Sequence, residues 1–280
     1  MYFIQETDKL KPIFDFLGIV KLKDDKILIP KITSKNVKSI AKKTLKEIKK
    51  TNSNSIIISK ELQKNQEYIN YLNSSELKIV QSKWLFKLMS NEVLDYIITT
   101  KNEKLEKNDV QISILINECN NIVIENIKEI LLNYKNVIIV TNHRERFKML
   151  EKNFLEEYGI MIIISNNKRR SLIKSDIILN FDFPEEQINK YVVADKAIIV
   201  NFEDKIEIHK KRFCGTIIND YEIEFNLNKI NEFIKFDKSK SEKYYLRELY
   251  EGNINKRQSI SGLKRTLKDD GVIIKSLNAI

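Results

Sequence analysis

Residues 111–122 read Gln-Ile-Ser-Ile-Leu-Ile-Asn-Glu-Cys-Asn-Asn-Ile, an apolar run that ends in polar residues. Ile112–Ile116 has the length of a buried strand, and residues 123–134 then place apolar side chains at helical spacing. Similar short apolar runs follow at 137–140, 161–164, 176–179 and 197–200. Strands that are apolar on both faces and alternate with amphipathic helices indicate a parallel sheet covered on both sides. Residues 106–234 therefore predict an α/β domain with a sheet of about five parallel strands.

The flanking segments predict a smaller domain and a tail. Residues 1–105 contain a helical stretch from Ser34 to Lys50, a turn at Asp24-Asp25 and several short apolar runs, which indicates an N-terminal α/β domain. The polar stretch Lys101–Asp109 marks its end. Residues 235–280 are basic and largely helical in pattern, and we expect this tail to pack back on the N-terminal domain.

Composition excludes several classes of protein. Of 280 residues, 42% are hydrophobic and 31% are charged, which argues against a disordered chain. No apolar run reaches the roughly 20 residues that span a bilayer, and the first residues lack the order of a signal peptide. We therefore expect a cytoplasmic protein with no membrane partner. Cys119 and Cys214 lie far apart without metal-ligand spacing, so no metal site is predicted.

The net charge of +10 is unevenly distributed. Residues 1–105 carry 20 basic and 12 acidic side chains, whereas residues 106–234 carry 18 and 21. Isoleucine, lysine and asparagine dominate the composition, as AT-rich codons would produce, so part of the basicity reflects the genome. Five lysines recur along one face of the predicted N-terminal helix: Lys35, Lys38, Lys42, Lys46 and Lys49.

This lysine face has two interpretations. It is either a surface that docks on a polyanion or a solvated helix face. Only 8 of the 49 basic residues are arginines, and no aromatic residues interleave with the lysines to stack on bases. The composition therefore favours the solvated face over nucleic-acid binding.

The segment from Val110 to Phe202 resembles the nucleotide-binding domain of two-domain NAD(P)-dependent dehydrogenases of the shikimate and amino-acid dehydrogenase type. Residues 171–180, Ser-Leu-Ile-Lys-Ser-Asp-Ile-Ile-Leu-Asn, look like the passage that follows the dinucleotide crevice in those enzymes. The resemblance implies a Rossmann-like fold with a ligand crevice at the carboxyl ends of the strands.

The glycine-rich motif of that family is absent. A dinucleotide site uses G-x-G-x-x-G because only glycine permits the tight turn and the close approach of backbone amides to the pyrophosphate. Here the turn is Asn117-Glu118-Cys119-Asn120-Asn121-Ile122, and Glu118 adds a negative charge. The second strand ends at His143-Arg144, so Arg144 favours NADP over NAD. We predict no cofactor, with NADP as the best remaining candidate.

Polar residues follow each predicted strand and form the candidate ligand site. These residues are Asn117, Glu118, Asn142, His143, Arg144, Asn166, Asn180, Asp182 and Asn201. Either they line a crevice for a small molecule, or the asparagines only cap helices and turns. No serine or cysteine is paired with His143 by a motif, so no catalytic residue is predicted.

These observations leave three hypotheses for function. The first is a non-catalytic Rossmann-like scaffold with an interaction or regulatory role and a protein partner. The alternative is an oxidoreductase-like enzyme, or another small-molecule-binding protein, that uses the strand-end crevice. The third is a protein that binds polyanions through its lysine face.

Overall fold

The structure is a computed structural model that describes residues 1–7, 20–51, 55–75, 77–100, 106–225 and 242–279. The chain forms two units. The first comprises Met1–Ser82 and Asn226–Lys256, and the second comprises Lys83–Phe225 and Arg257–Ile280.

This division differs from the boundaries expected at 105 and 235. The helical stretch after Ser82 belongs to the second unit, and the tail is shared between both units. Residues 101–105 and 226–241, on which those boundaries partly rest, lie outside the described residues, as do residues 13–19, which belong to one of the short apolar runs of the N-terminal segment.

The described residues contain twelve strands and ten helices. The strands are β1 (Tyr2–Glu6), β2 (Lys21–Lys23), β3 (Lys26–Ile29), β4 (Ser55–Ile58), β5 (Lys78–Ile79), β6 (Gln111–Leu115), β7 (Asn136–Val140), β8 (Ile163–Ser165), β9 (Ile177–Asn180), β10 (Ile198–Asn201), β11 (Thr216–Glu224) and β12 (Ile273–Ala279). The helices are α1 (Val37–Lys49), α2 (Lys60–Gln63), α3 (Gln66–Asn73), α4 (Lys83–Leu88), α5 (Ser90–Thr100), α6 (Asn121–Asn133), α7 (Arg144–Tyr158), α8 (Glu185–Ile188), α9 (Leu246–Asn253) and α10 (Ile260–Asp269).

The first unit is built on a five-stranded sheet in the order β2-β3-β1-β4-β5. β3, β1, β4 and β5 run parallel, and β2 forms an antiparallel hairpin with β3 around the expected turn, where Asp24 has φ of 53°. α1 buries a stripe of five residues against this sheet: Val37, Ile40, Ala41, Thr44 and Ile48. α9, from the expected tail, packs on β4 of the same unit.

The second unit contains a seven-stranded sheet in the order β12-β11-β10-β9-β6-β7-β8. The six strands from β8 to β11 are parallel, and β12 pairs antiparallel with β11 at one edge. Numbered along the chain, the parallel strands have the order 3-2-1-4-5-6, which is the strand order of the doubly wound Rossmann fold. The α/β fold expected from the sequence is confirmed, and its sheet is larger than the expected five strands.

The two additional strands lie where the sequence pattern is weaker. β11 and β12 alternate buried and exposed residues, as in Tyr221-Glu222-Ile223-Glu224, because one of their faces meets solvent. Residues 206–208, between β10 and β11, are irregular. The last helix begins after Ser259, whose hydroxyl accepts the Gly262 N–H.

Candidate functional site

The chain reverses its direction across the second sheet between β6 and β9. β7 and β8 continue to one side of β6, and β9, β10 and β11 continue to the other side. In open α/β sheets the ligand crevice lies at the carboxyl ends of the strands at this switch point. The turn that follows β6 contains Asn117 and Glu118, and the turn that follows β9 contains Asp182. These three residues therefore occupy the position where a ligand would be expected.

The Asp182 carboxylate is bonded to the backbone of the facing turn. The Asn117 N–H donates to its two oxygens at 2.8 and 2.9 Å, and the Glu118 N–H donates to Oδ2 at 2.7 Å. These distances are typical of charge-assisted hydrogen bonds. A negatively charged group of the protein itself thus satisfies backbone amides at the place where a dinucleotide-binding protein presents amides to a phosphate.

Partial burial destabilises the ionised form of the Asp182 carboxylate. Burial raises the pKa of Asp182 above its ordinary value of 3.8, although the two amide hydrogen bonds and the nearby Lys87 ammonium act in the opposite direction. The pKa is raised overall, so the loss of hydration destabilises the ionised carboxylate more than the hydrogen bonds stabilise it.

The side chain of Asn117 ties the same turn to neighbouring segments. Its Oδ1 accepts the Asn142 N–H at 3.0 Å, and its Nδ2 lies 3.4 Å from Oε1 of Gln187. The carbonyl of Asn117 accepts from the guanidinium of Arg146 at 3.3 Å. Both the backbone and the side chain of this residue therefore have partners within the protein.

Asn180 and Asn201 form a second, fully buried cluster. Nδ2 of Asn180 donates to Oδ1 of Asn201 at 2.7 Å, and Oδ1 of Asn180 accepts the Phe183 N–H at 2.9 Å. Nδ2 of Asn201 donates to the Asp204 carbonyl at 2.6 Å and to Oδ1 of Asn219 at 2.8 Å. These amides cross-link the turns that follow β9 and β10, which is the capping role that asparagine performs well.

The other predicted site residues do not join either cluster. His143 is the N-cap residue of α7, Arg144 is the first residue of that helix, and both are exposed. Asn166 is exposed after β8. Arg146, which the sequence did not single out, is the arginine that lies beside Asn117.

A cleft of about 470 Å³ opens beside the beginning of α6. Its lining residues are Lys83, Trp84, Lys87, Asn120, Asn121, Ile122 and Glu203. Two positive side chains, an indole and a helix N-terminus make this a plausible setting for an anionic group. Each lysine is already paired, however: Lys83 contacts Asp204, and Lys87 contacts Glu203.

Sequence reasoning missed this cleft because it assigned α4 to the N-terminal domain. The available signal was the spacing of Lys83 and Lys87, which places both on one face of a helix beside the single tryptophan of the chain. Asp182 was selected as a residue of the strand-end crevice, and the sequence could not indicate that its carboxylate accepts the N–H groups of Asn117 and Glu118.

The first turn does not fit a dinucleotide. Its amides at Asn117 and Glu118 already donate to Asp182, so a pyrophosphate would have to displace a carboxylate and sit beside the Glu118 side chain. A phosphate at the same amides would meet repulsion from Asp182 at hydrogen-bond distance.

Three further features bear on the expected partners. The five lysines singled out on α1 and in the turn before it are all exposed, and Lys38 lies over the ring of Tyr71 at 5.8 Å. Among the described residues, no group of three or more His, Cys, Asp or Glu side chains could hold a metal ion. None of the described helices is long and apolar enough to cross a membrane.

No protein-family model matches the chain, and no curated protein sequence matches it. Solved structures do match, at low similarity. The D-isomer specific 2-hydroxyacid dehydrogenase from Lactobacillus delbrueckii ssp. bulgaricus is 12% identical, with a TM-score of 0.24 over 72% of this chain and 71% of that chain.

Ornithine transcarbamoylase from Giardia lamblia is 9% identical, with a TM-score of 0.32 over 73% of each chain. A shikimate 5-dehydrogenase-like protein is 12% identical, with a TM-score of 0.26 over 71% of this chain and 76% of that chain. These likenesses are too distant to indicate an activity.

Proposed function

We propose that the chain is a non-catalytic Rossmann-like scaffold that acts through contacts with other proteins. The observation that supports this proposal is the closure of the switch-point turn by Asp182, which accepts the N–H groups of Asn117 and Glu118. The sheet that would support a nucleotide site is complete, whereas the backbone groups that would hold the phosphate are bonded internally.

The second cluster supports the same proposal. Asn180 and Asn201 are completely buried and use their amide groups on each other and on neighbouring turns. Side chains committed in this way stabilise turns and are not available to recognise a substrate.

The experiment is a thermal unfolding series of the full chain with NAD(H) and NADP(H) at millimolar concentration. A ligand at 100 times its Kd would add about 2.7 kcal/mol of stability, which is roughly 5–10 °C for units of this size. We expect no shift. A shift of several degrees with one dinucleotide, abolished in Arg144→Ala but not in Lys174→Ala, would contradict the proposal and restore the oxidoreductase-like alternative.

One observation favours a second candidate, an anionic small-molecule ligand in the cleft beside α6. Lys87 lines this cleft and has only Glu203 as its ion-pair partner among the described residues. A ligand anion could replace that carboxylate. Stabilisation by nucleoside phosphates that is lost in Lys87→Ala and kept in Lys190→Ala would support this candidate, and no stabilisation by any of them would reject it.

A further inference from the structure

The outer edge of β8 is open in the described part of the chain. β8 lies at the end of the seven-stranded sheet and pairs only with β7. The Thr141 N–H donates to the carbonyl of Ser165 at 3.0 Å, so the backbone groups of Ser165 face β7. Because these groups alternate along a strand, the N–H and C=O of Ile164 point away from the sheet.

This edge is also apolar and uncharged. Residues 161–164 read Met-Ile-Ile-Ile; Met161 is 79% exposed and Ile163 is 56% exposed. Leu155 and Tyr158, near the end of α7, are exposed large apolar residues as well. Exposed apolar edge strands favour pairing with another strand, and proteins usually protect them with charges.

The opposite edge of the same sheet has such protection. Lys275 lies in the middle of β12, and its carbonyl accepts the Tyr96 hydroxyl at 3.2 Å. The sequence thus protects one edge of the sheet and leaves the other uncharged.

Charges of opposite sign flank the two ends of β8. The last turn of α7 contains Glu156 and Glu157 and no basic residue, which is unfavourable at the negative end of the helix dipole. After β8 come three exposed basic residues: Lys168, Arg169 and Arg170. Neither Glu157 nor any of these three forms an ion pair within the described part of the chain.

We propose that two copies of this chain associate through antiparallel pairing of their β8 strands about a two-fold axis at Ile164. Because the two β8 strands run in opposite directions, the acidic end of α7 in one copy lies beside residues 168–170 of the other copy. The two-fold symmetry produces this contact twice. The two outward-facing groups of Ile164 satisfy those of the second copy, and Met161 and Ile163 are covered. The proposal deepens the proposed interaction function, on which it rests, by naming the partner as a second copy.

The test is sedimentation velocity of the full chain from low to high micromolar concentration. We expect a dimer with twice the chain mass of 33.1 kDa. Ile164→Pro removes the outward N–H and leaves the pairing with β7 intact, since proline is tolerated on edge strands in this position. We expect this variant to be monomeric, whereas Ile164→Val, which keeps the N–H, dimerises like the wild type.

A charge exchange tests the antiparallel arrangement. Reversal of the acidic end (Glu156→Arg with Glu157→Arg) or of the basic end (Arg169→Glu with Arg170→Glu) places like charges together twice in each homodimer. Either change is expected to weaken association by about tenfold. An equimolar mixture of the two variants is expected to restore dimers, because each contact in the mixed dimer then joins opposite charges.

A chain that is monomeric at every concentration would overturn the proposal. So would a dimer that Ile164→Pro does not weaken, or charge variants that the mixture does not rescue. Circular dichroism establishes that each variant is folded, and a variant that unfolds is replaced by Ile163→Lys, which adds a charge to an exposed position of the same edge. A dinucleotide-induced thermal shift would contradict the proposed function without affecting this result, so the two failures are distinguishable.

Discussion

The substitution Asp182→Ala removes the acceptor that two backbone amides share at the switch point. A hydrogen bond to a charged group contributes about 1.5–3 kcal/mol net to stability. At the lower end of that range, the two bonds from Asn117 and Glu118 together contribute about 3 kcal/mol to the free energy of unfolding. Two facts reduce this value. Glu118 is exposed, so water can replace its bond, and burial of the carboxylate opposes ionisation strongly enough to raise the pKa of Asp182. We expect a loss of about 1.5 kcal/mol in the free energy of unfolding of the second unit.

The assay is urea denaturation followed by tryptophan fluorescence. The chain has one tryptophan, Trp84, and it lies in the second unit, so its signal reports on that unit. Asp182→Asn retains an oxygen that can accept both amides without carrying the charge, and we expect it to lose less than half as much as Asp182→Ala. The matched control is Asp195→Ala, an exposed aspartate with no described side-chain bond, which should change stability by less than about 0.5 kcal/mol.

A loss below about 0.5 kcal/mol for Asp182→Ala would refute this reasoning, because hydrogen bonds that contribute so little do not hold the turn. A loss as large for Asp195→Ala would refute it as well, since the effect would then belong to any aspartate of this unit.

Three further predictions use the same assay. Burial raises the pKa of Glu92, and its Oε2 has no hydrogen-bond partner, so Glu92→Gln should stabilise the second unit at neutral pH by up to about 1 kcal/mol. This gain in stability should disappear as the pH falls through the folded-state pKa, because the wild-type carboxyl is then protonated. A gain that persists at low pH would contradict the idea that the buried charge of Glu92 destabilises the unit. Gly159 ends α7 with φ of 65°, and nothing lies within 4 Å of the position of an added Cβ. Gly159→Ala should therefore lower the free energy of unfolding by about 1–2 kcal/mol through backbone strain alone. An unchanged stability would show that the left-handed cap is not maintained. Asn201→Ala leaves Asn180 and Asn219 without their buried partner and should lower the free energy of unfolding by about 2–3 kcal/mol. The control Asn166→Ala, at an exposed position, should leave the stability unchanged. Equal effects of the two substitutions would contradict the cross-linking role of Asn201.

The sheet of the second unit could be predicted from the sequence because its central strands are buried on both faces. Runs such as Ile198-Ile199-Val200 are apolar without interruption, and the helices between the strands have their apolar side chains along one face. The C-cap at Gly159 was also predictable, since glycine follows the last apolar residue of the helical pattern. β12 is harder to predict, because its apolar residues alternate with lysine and asparagine and resemble a loop when the partner strand is unknown.

The boundary between the units could not be predicted for a different reason. α4 and α5 follow directly on the first unit in sequence, yet Phe86 stacks on Tyr221 with ring centroids 4.3 Å apart, a contact between residues far apart in the chain. Nothing in the local pattern around Phe86 indicates which core it joins.

The site shows the same limit. Sequence reasoning selected Asn117 and Asp182 because both follow strands, but a strand-end carboxylate can face either a ligand or a neighbouring turn. That choice depends on the spacing between β6 and β9, which only the structure provides: the Asp182 oxygens lie 2.7–2.9 Å from the two amides. Two features of the sequence pointed away from a phosphate at this turn: the absence of glycine and the negative charge of Glu118.

The most direct test of the closed turn is amide hydrogen exchange at Asn117 and Glu118 by NMR, in the wild type and in Asp182→Ala. Hydrogen bonds to Asp182 predict slowed exchange at both amides in the wild type and faster exchange at both in the variant, with no change on addition of NADP. Rapid exchange at both amides in the wild type, together with protection that arises only when NADP is added, would contradict the account and identify the turn as a phosphate site.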